Sequence, residues 1–154
     1  MKNSLIKQFD LTLDIRNNVL KSLEQEDILF RIPESFNNHI LWNAGHLMAT
    51  HQMLLYTFSG SKERLDAGFI KKYAKGTIPE EGVNQNDLVY VKENLIASVN
   101  QAKQDYESGY FGEYKSLTTS FGTTLASVED AVQYIVLHEA MHYGQIKMLE
   151  KLLI

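Results

Sequence analysis

Cysteine is absent from the 154 residues. That absence removes disulfides, thiolate-held zinc, iron–sulfur clusters and a protein thiol as nucleophile. Proline occurs only twice, so few positions interrupt a helix. Basic residues are outnumbered, with 15 Lys and Arg against 19 Asp and Glu for a formal charge of −4. No run of Lys or Arg supplies the basic face that phosphate neutralisation needs, which argues against nucleic acid as a partner. Long apolar runs are missing too. The segment from Ser35 to Ser61 contains no Asp, Glu, Lys or Arg, but His39, Asn43, His46, Thr50, His51 and Gln52 interrupt it. A bilayer span needs about 20 predominantly apolar residues, so this is not a membrane helix. The residues after Met1 carry polar side chains every few positions in place of a signal-peptide core, and a cytoplasmic location is expected.

What remains is an ordinary soluble composition, 44% apolar and 22% charged, in a chain of the length of one domain. Residues 1–154 are read as that single domain. Helical periodicity marks four segments and nothing convincing marks a strand. The first helix runs from about Ser4 to Leu23, with Leu5, Phe9, Leu13, Leu20 and Leu23 on one face and Arg16 filling the gap in the stripe. The second covers roughly Asn38 to Phe58 through Ile40, Ala44, Leu47, Leu54 and Phe58, stopping at Gly60. The third, capped by Asn86 or Asp87, carries Leu88, Val91, Leu95, Val99, Ala102 and Tyr106 up to Gly109. Ser127 caps the fourth, with Asp130 in the position of a capping box, and that helix continues to the C-terminus. Long connections separate helices two and three (Ser61–Asn86, with a short helix near Lys62–Tyr73) and helices three and four (Tyr110–Ala126). The pattern predicts an all-α, four-helix bundle.

The five histidines carry most of the chemical information. His138 and His142 are separated by about 40° on a helical wheel, one turn apart on the same face. Val128, Ala131, Ile135, Ile146, Leu149 and Leu153 share that side, so the pair lies within the apolar stripe of helix four. Buried imidazoles without partners would leave polar atoms unsatisfied, whereas two on adjacent turns converge on one metal ion. The bland reading is a pair of hydrogen-bonded core histidines. A third ligand has to come from another helix, and His39, His46 and His51 are the candidates. His46 is mid-helix and better held than His39, while His51 sits on the apolar stripe and reads most simply as a core histidine satisfied by a neighbour. Periodicity does not choose among them.

Two familiar motifs overlap this segment and neither fits. His138-Glu139-Ala140-Met141-His142 matches H-E-x-x-H, the zinc-peptidase string in which the Glu is general base. No further His follows, the next ligand position is Met148, and Glu150 is on the same helix about 80° from His142. Glu139 reads instead as a boundary residue or one that orients a ligand. Glu139 and His142 also form the Glu-x-x-His of carboxylate-bridged di-iron bundles, but no second copy exists and helix two has no carboxylate after Glu34.

The segment Leu137-His138-Glu139-Ala140-Met141-His142-Tyr143-Gly144-Gln145-Ile146 resembles the C-terminal signature of the DinB-like (DinB/YfiT-like) superfamily: a His, three residues, a second His, one residue, then Gly-Gln-Ile. Trp42-Asn43-Ala44-Gly45-His46-Leu47 is similar to that family's helix-two motif, and Thr119-Ser120-Phe121-Gly122 fits its loop before helix four. The resemblance covers essentially the whole chain. It implies a four-helix bundle with a three-histidine metal site, and it selects His46 as the partner of His138 and His142. It also implies a divalent ion, nickel or zinc, with open positions for water or substrate. Gly144 within a helix costs about 1 kcal/mol against Ala, and is expected where another backbone approaches closely. Gln145, about 20° from His138, is expected to orient a ligand or line the pocket.

Family members of known activity include thiol-dependent transferases and isomerases that use bacillithiol, mycothiol or glutathione. The resemblance therefore implies an enzyme acting on a small molecule, a thiol S-transferase or a hydrolase, by Lewis-acid activation of a bound thiol or water. In a chain without cysteine the reactive sulfur would belong to such a low-molecular-weight thiol. Arg16, Arg31, Arg64 and nearby lysines are candidate partners for its carboxylates, against the simpler reading of each as a solvated surface charge. The alternative function is a non-catalytic, stress-associated metal or ligand binder on the same bundle. Helix two, finally, has no charged face, and a helix of that kind is buried all round. A second copy in a two-fold homodimer is expected to cover it, unless the Ser61–Asn86 connection does so.

Overall fold

The computed structural model describes residues 2–154. Helix α1 spans Lys2–Ser22, α2 Ile40–Gln52, α3 Ala67–Lys72, α4 Gln85–Asn94, α5 Ala97–Glu107 and α6 Val128–Leu153. Helices α1, α2, α5 and α6 form the expected bundle, and the short α3 and α4 belong to the segment that links α2 to α5. The start signals act as side-chain caps. His39 caps α2 by accepting the Trp42 amide on Nδ1 at 3.0 Å, Asp66 caps α3, and Ser127 caps α6 through the Asp130 amide. Helix α4 begins two or three residues earlier than its sequence suggested, because Asn84 rather than Asn86 or Asp87 provides the cap. The Asp130 carboxylate reaches the Ala126 amide, one residue before the cap.

Apolar side chains collect at two ends of the bundle. Val19, Leu23, Leu29, Ile40, Leu47, Met48, Leu88, Val91, Ile146 and Leu149 pack at one end. Leu5, Phe9, Leu55, Val99, Ala102, Val128, Val132 and Ile135 pack at the other. Between them lies a polar layer built on Arg16. This side chain is fully buried, not the solvated charge that its residue type suggested. Its Nε donates to Glu139 at 2.6 Å, one Nη to the Leu95 carbonyl at 2.7 Å, and the other to the Leu47 carbonyl at 3.2 Å. The guanidinium also explains why the third predicted helix is broken into α4 and α5. With the Leu95 carbonyl committed to Arg16, the Val99 amide donates to Ile96 instead, and the regular ladder is interrupted.

Two further departures shape the site. The second helix does not run on to Phe58 as α-helix; Met53–Thr57 form a π-helical turn closed by the Phe58 amide on the Met53 carbonyl. The connection before α6 contains a small antiparallel hairpin, β1 Leu117–Thr118 against β2 Thr124–Leu125, where no strand was expected. Two-residue strands have no period that a sequence pattern could reveal.

Helix α2 is buried along nearly all of its length within one chain. The segment between α2 and α4 covers the face that carries no charge, and Gly45 lies against the Tyr73 ring, where a Cβ would stand 2.6 Å from Cδ1. The lack of charge on α2 thus goes with coverage by the Ser61–Asn86 connection. The close-approach glycine is Gly45, not Gly144: a Cβ at Gly144 would meet open space. No described helix is long and apolar enough to cross a membrane.

Candidate metal centre

His138 and His142 project from adjacent turns of α6, and His46 faces them from α2. One ring nitrogen from each of the three lies within 4.8 Å of the others. Ring centroids are 5.1 Å apart for His46 and His138, 4.7 Å for His46 and His142, and 4.5 Å for His138 and His142. All three are buried. Burial is the main cause that keeps the rings neutral: it lowers the pKa of His138 to about 2 and that of His142 to about 4, and the neighbouring imidazoles push the same way. His46 is lowered as well, first by burial and then by the charge of Lys75. Three neutral imidazoles gathered without a carboxylate among them form a donor set suited to a borderline divalent ion.

Two of the rings are held in one tautomer. The His46 Nδ1 is 2.8 Å from the Tyr73 carbonyl, which only accepts, so Nδ1 carries the proton and Nε2 presents its lone pair, with the Thr50 hydroxyl 3.4 Å away. His142 Nδ1 is 2.8 Å from Asn43 Oδ1. The Asn43 amide nitrogen donates to Asn38 Oδ1 and to the His39 carbonyl, both at 3.0 Å, and those bonds decide which end of the amide faces the imidazole. A donor N–H opposite the ligating nitrogen is the usual support of a metal-bound histidine. Trp42 stacks on His46 at 4.6 Å and 9° and donates Nε1 to Thr77 at 3.2 Å, which packs the ring from behind.

The remaining candidates fall elsewhere. His39 is the cap of α2, and His51 is a core histidine, deeply buried. No neighbour among the described residues satisfies the His51 Nδ1, contrary to expectation, and burial with Arg16 nearby holds its pKa well below the usual value. Glu139 does not line the cavity, and its side-chain hydrogen bond goes to Arg16 rather than to a histidine. It is fully buried against Arg16, a consequence of Arg16 pointing inward, and its Oε2 has no partner among the described residues. As a general base of the peptidase type it would need to face the metal. Gln145 is exposed at the edge of the pocket beside His142. Asn43 and the Tyr73 carbonyl are the positioning groups that sequence reasoning missed. In the sequence Asn43 stands only as one of the polar residues that interrupt the Ser35–Ser61 segment and within the Trp42–Leu47 motif, and a backbone carbonyl leaves no residue-type signal.

The three histidines open onto a cavity of about 470 Å³ lined also by Trp42, Met53, Leu54, Phe58, Lys75, Leu117, Thr118, Tyr134 and Met141. This is the size of sites that enclose small molecules. The π-helical turn supplies Met53 and Leu54, and the hairpin supplies Leu117 and Thr118. A closed structural site would use a fourth protein ligand, and none stands with these three among the described residues.

An all-α bundle with a buried three-histidine centre facing a pocket defines a class of metal-binding helical proteins. The chain matches the DinB superfamily over residues 8–146, which is most of its length, and it belongs to that family. No curated protein matches it.

Proposed function

We propose that this protein is a divalent-metal-dependent enzyme acting on a small molecule held in the cavity beside His46, His138 and His142. The observation that carries the reading is the joining of three neutral, buried imidazoles to a pocket of about 470 Å³ with no fourth protein ligand among the described residues. Nickel or zinc fits an all-imidazole donor set, and the bound ion would act as a Lewis acid toward a thiol or water. The chain's own residues bind and orient. Asn43 and the Tyr73 carbonyl hold protons on Nδ1 of His142 and His46, and the apolar wall from Met53 to Phe58 excludes water around the ligand. Thiol S-transfer or hydrolysis are the reactions this arrangement suits, with the thiol supplied by a cosubstrate because the chain has no cysteine. A purely metal-storing bundle has no use for a pocket of this size, whereas a ligand-binding one does, and turnover of a bound small molecule separates the latter from the enzyme.

The test is metal content by mass spectrometry on untagged protein beside His138→Ala. About one nickel or zinc per chain, lost in the variant, is the expected result. Wild-type protein that neither carries nor takes up a divalent ion would overturn the reading and leave the histidines as core residues.

A further inference from the structure

The walls of the cavity are unusual in their charge. Among the described residues no Asp or Glu lines it, and the only charged side chain that does is Lys75. The carboxylate closest to the histidines in sequence, Glu139, is sealed in the polar layer with Arg16. Nor do the arginines approach: Arg64 is paired with Asp105, and Arg31 reaches the Leu153 carbonyl. A divalent ion at the histidines therefore adds two positive charges to the Lys75 ammonium with no carboxylate in the lining to offset them. That positive field favours an anion among the molecules the pocket binds.

Lys75 is placed for that task. It lies two residues after Tyr73, whose carbonyl holds His46, and just before Gly76, which turns the chain at φ +84°. Its side chain lines the same cavity as His46, His138 and His142. Its neighbour Lys72 is bound by Glu80 and Asp87, whereas Lys75 has no ion-pair partner among the described residues. Apolar side chains, from Trp42, Met53, Leu54, Phe58, Leu117 and Met141, make up most of the remaining wall, interrupted by uncharged polar groups of Asn38, Thr50, the Thr118–Ser120 run, Tyr134 and Gln145. One compact point charge matches one negative charge. A phosphate dianion calls for a fork of donors or a nest of backbone amides, and Lys75 is a single cation.

We propose that the pocket selects small molecules with an apolar body and one carboxylate, and that Lys75 is the residue that anchors the carboxylate. The inference rests on the cavity being the substrate pocket of the proposed enzyme, and it names the substrate class. Lys75 is exposed and away from the core, so its replacement leaves folding intact.

The experiment is calorimetric titration of the full chain, zinc-loaded and zinc-free, with 3-phenylpropionate and its neutral amide. Wild type, Lys75→Met and Lys75→Arg are compared, with zinc content measured for each. In wild type the carboxylate is expected to bind at least about tenfold more tightly than the amide, a preference that Lys75→Met removes and Lys75→Arg keeps. Zinc stoichiometry is unchanged in all three. A preference that survives in Lys75→Met would mean that the metal alone holds the anion, and would overturn the proposal. Equal binding of the two probes by wild type, or binding of neither, would also overturn it. If zinc does not load, the metal reading fails separately, and the zinc-free comparison of wild type with Lys75→Met still decides the role of Lys75.

Discussion

Asn43→Leu should weaken zinc binding by about 10- to 100-fold although Asn43 touches no metal. The side chain is fully buried on α2, and its amide joins three groups: His142 Nδ1, Asn38 Oδ1 and the His39 carbonyl. Leucine fills a similar volume but offers no acceptor. The His142 N–H then has no partner where it stands, a loss of about 1–3 kcal/mol for a buried donor. The ring escapes by rotating or by moving its proton to Nε2, the nitrogen meant for the metal. Either route charges the same energy to metal binding, and each tenfold in affinity is about 1.4 kcal/mol, so the two scales agree. Competition of the folded variant against a chromophoric chelator at neutral pH measures the effect. Nitrogen NMR on histidine-labelled, metal-free protein should find His142 in the Nδ1–H tautomer in wild type and in a mixture in the variant. A folded Asn43→Leu protein with zinc affinity within about twofold of wild type would refute the argument, because packing rather than this hydrogen bond would then orient the ring.

The two glycines that flank the histidines should respond in opposite ways. At Gly144 a methyl group meets open space, so Gly144→Ala should stabilise the α6 helix by about 1 kcal/mol and raise the melting temperature by about 2–4 °C in thermal unfolding. Gly45→Ala puts its Cβ 2.6 Å from a buried Tyr73 ring whose hydroxyl is tied to Asp87. It should cost about 1–3 kcal/mol and lower zinc affinity as well, because the displaced residue supplies the carbonyl that holds His46. Acid should destabilise the metal-free protein. His39, His138 and His142 have folded-state pKa values of about 4, 2 and 4 against an ordinary 6.5, so between those values the unfolded chain binds protons that the folded chain refuses. Stability is therefore flat above about pH 7 and falls as pH drops below 6.5. Melting curves from pH 8 to pH 4 check the sign, and a midpoint that rises on acidification contradicts it.

Much of the metal centre was legible in the sequence because it follows helical period. His138 and His142 are one turn apart inside an apolar stripe, and Ser127 marks where that helix begins. The third ligand was not legible from period alone, since His39, His46 and His51 all lie on one helix and only the family resemblance separates them. Arg16 sits in the stripe between Leu13 and Leu20, a placement that signals burial, but the general habit of arginine points the other way. The break between α4 and α5 was hidden for the same reason: the carbonyl that leaves the ladder is taken by a side chain 79 residues away. The tautomer locks were hidden because one is a backbone oxygen and the other depends on a chain of amide bonds across α2.

The Arg16 cross-link has a consequence for how the molecule comes together. One guanidinium touches residues 47, 95 and 139, so its charge is paired when α1 meets α6 but its hydrogen bonds are complete only when α2 and the α4–α5 junction have joined them. A partial bundle that buries Arg16 without all of these partners leaves donors of a charged group unsatisfied, which depopulates partial structures and favours an all-or-none transition. His138 and His142 flank Glu139 on the same helix, so the binding site is completed in that transition and not afterwards. Metal capture then follows folding instead of guiding it. Refolding rates measured in zinc and in chelator should coincide; acceleration by zinc would show that the ion templates the bundle.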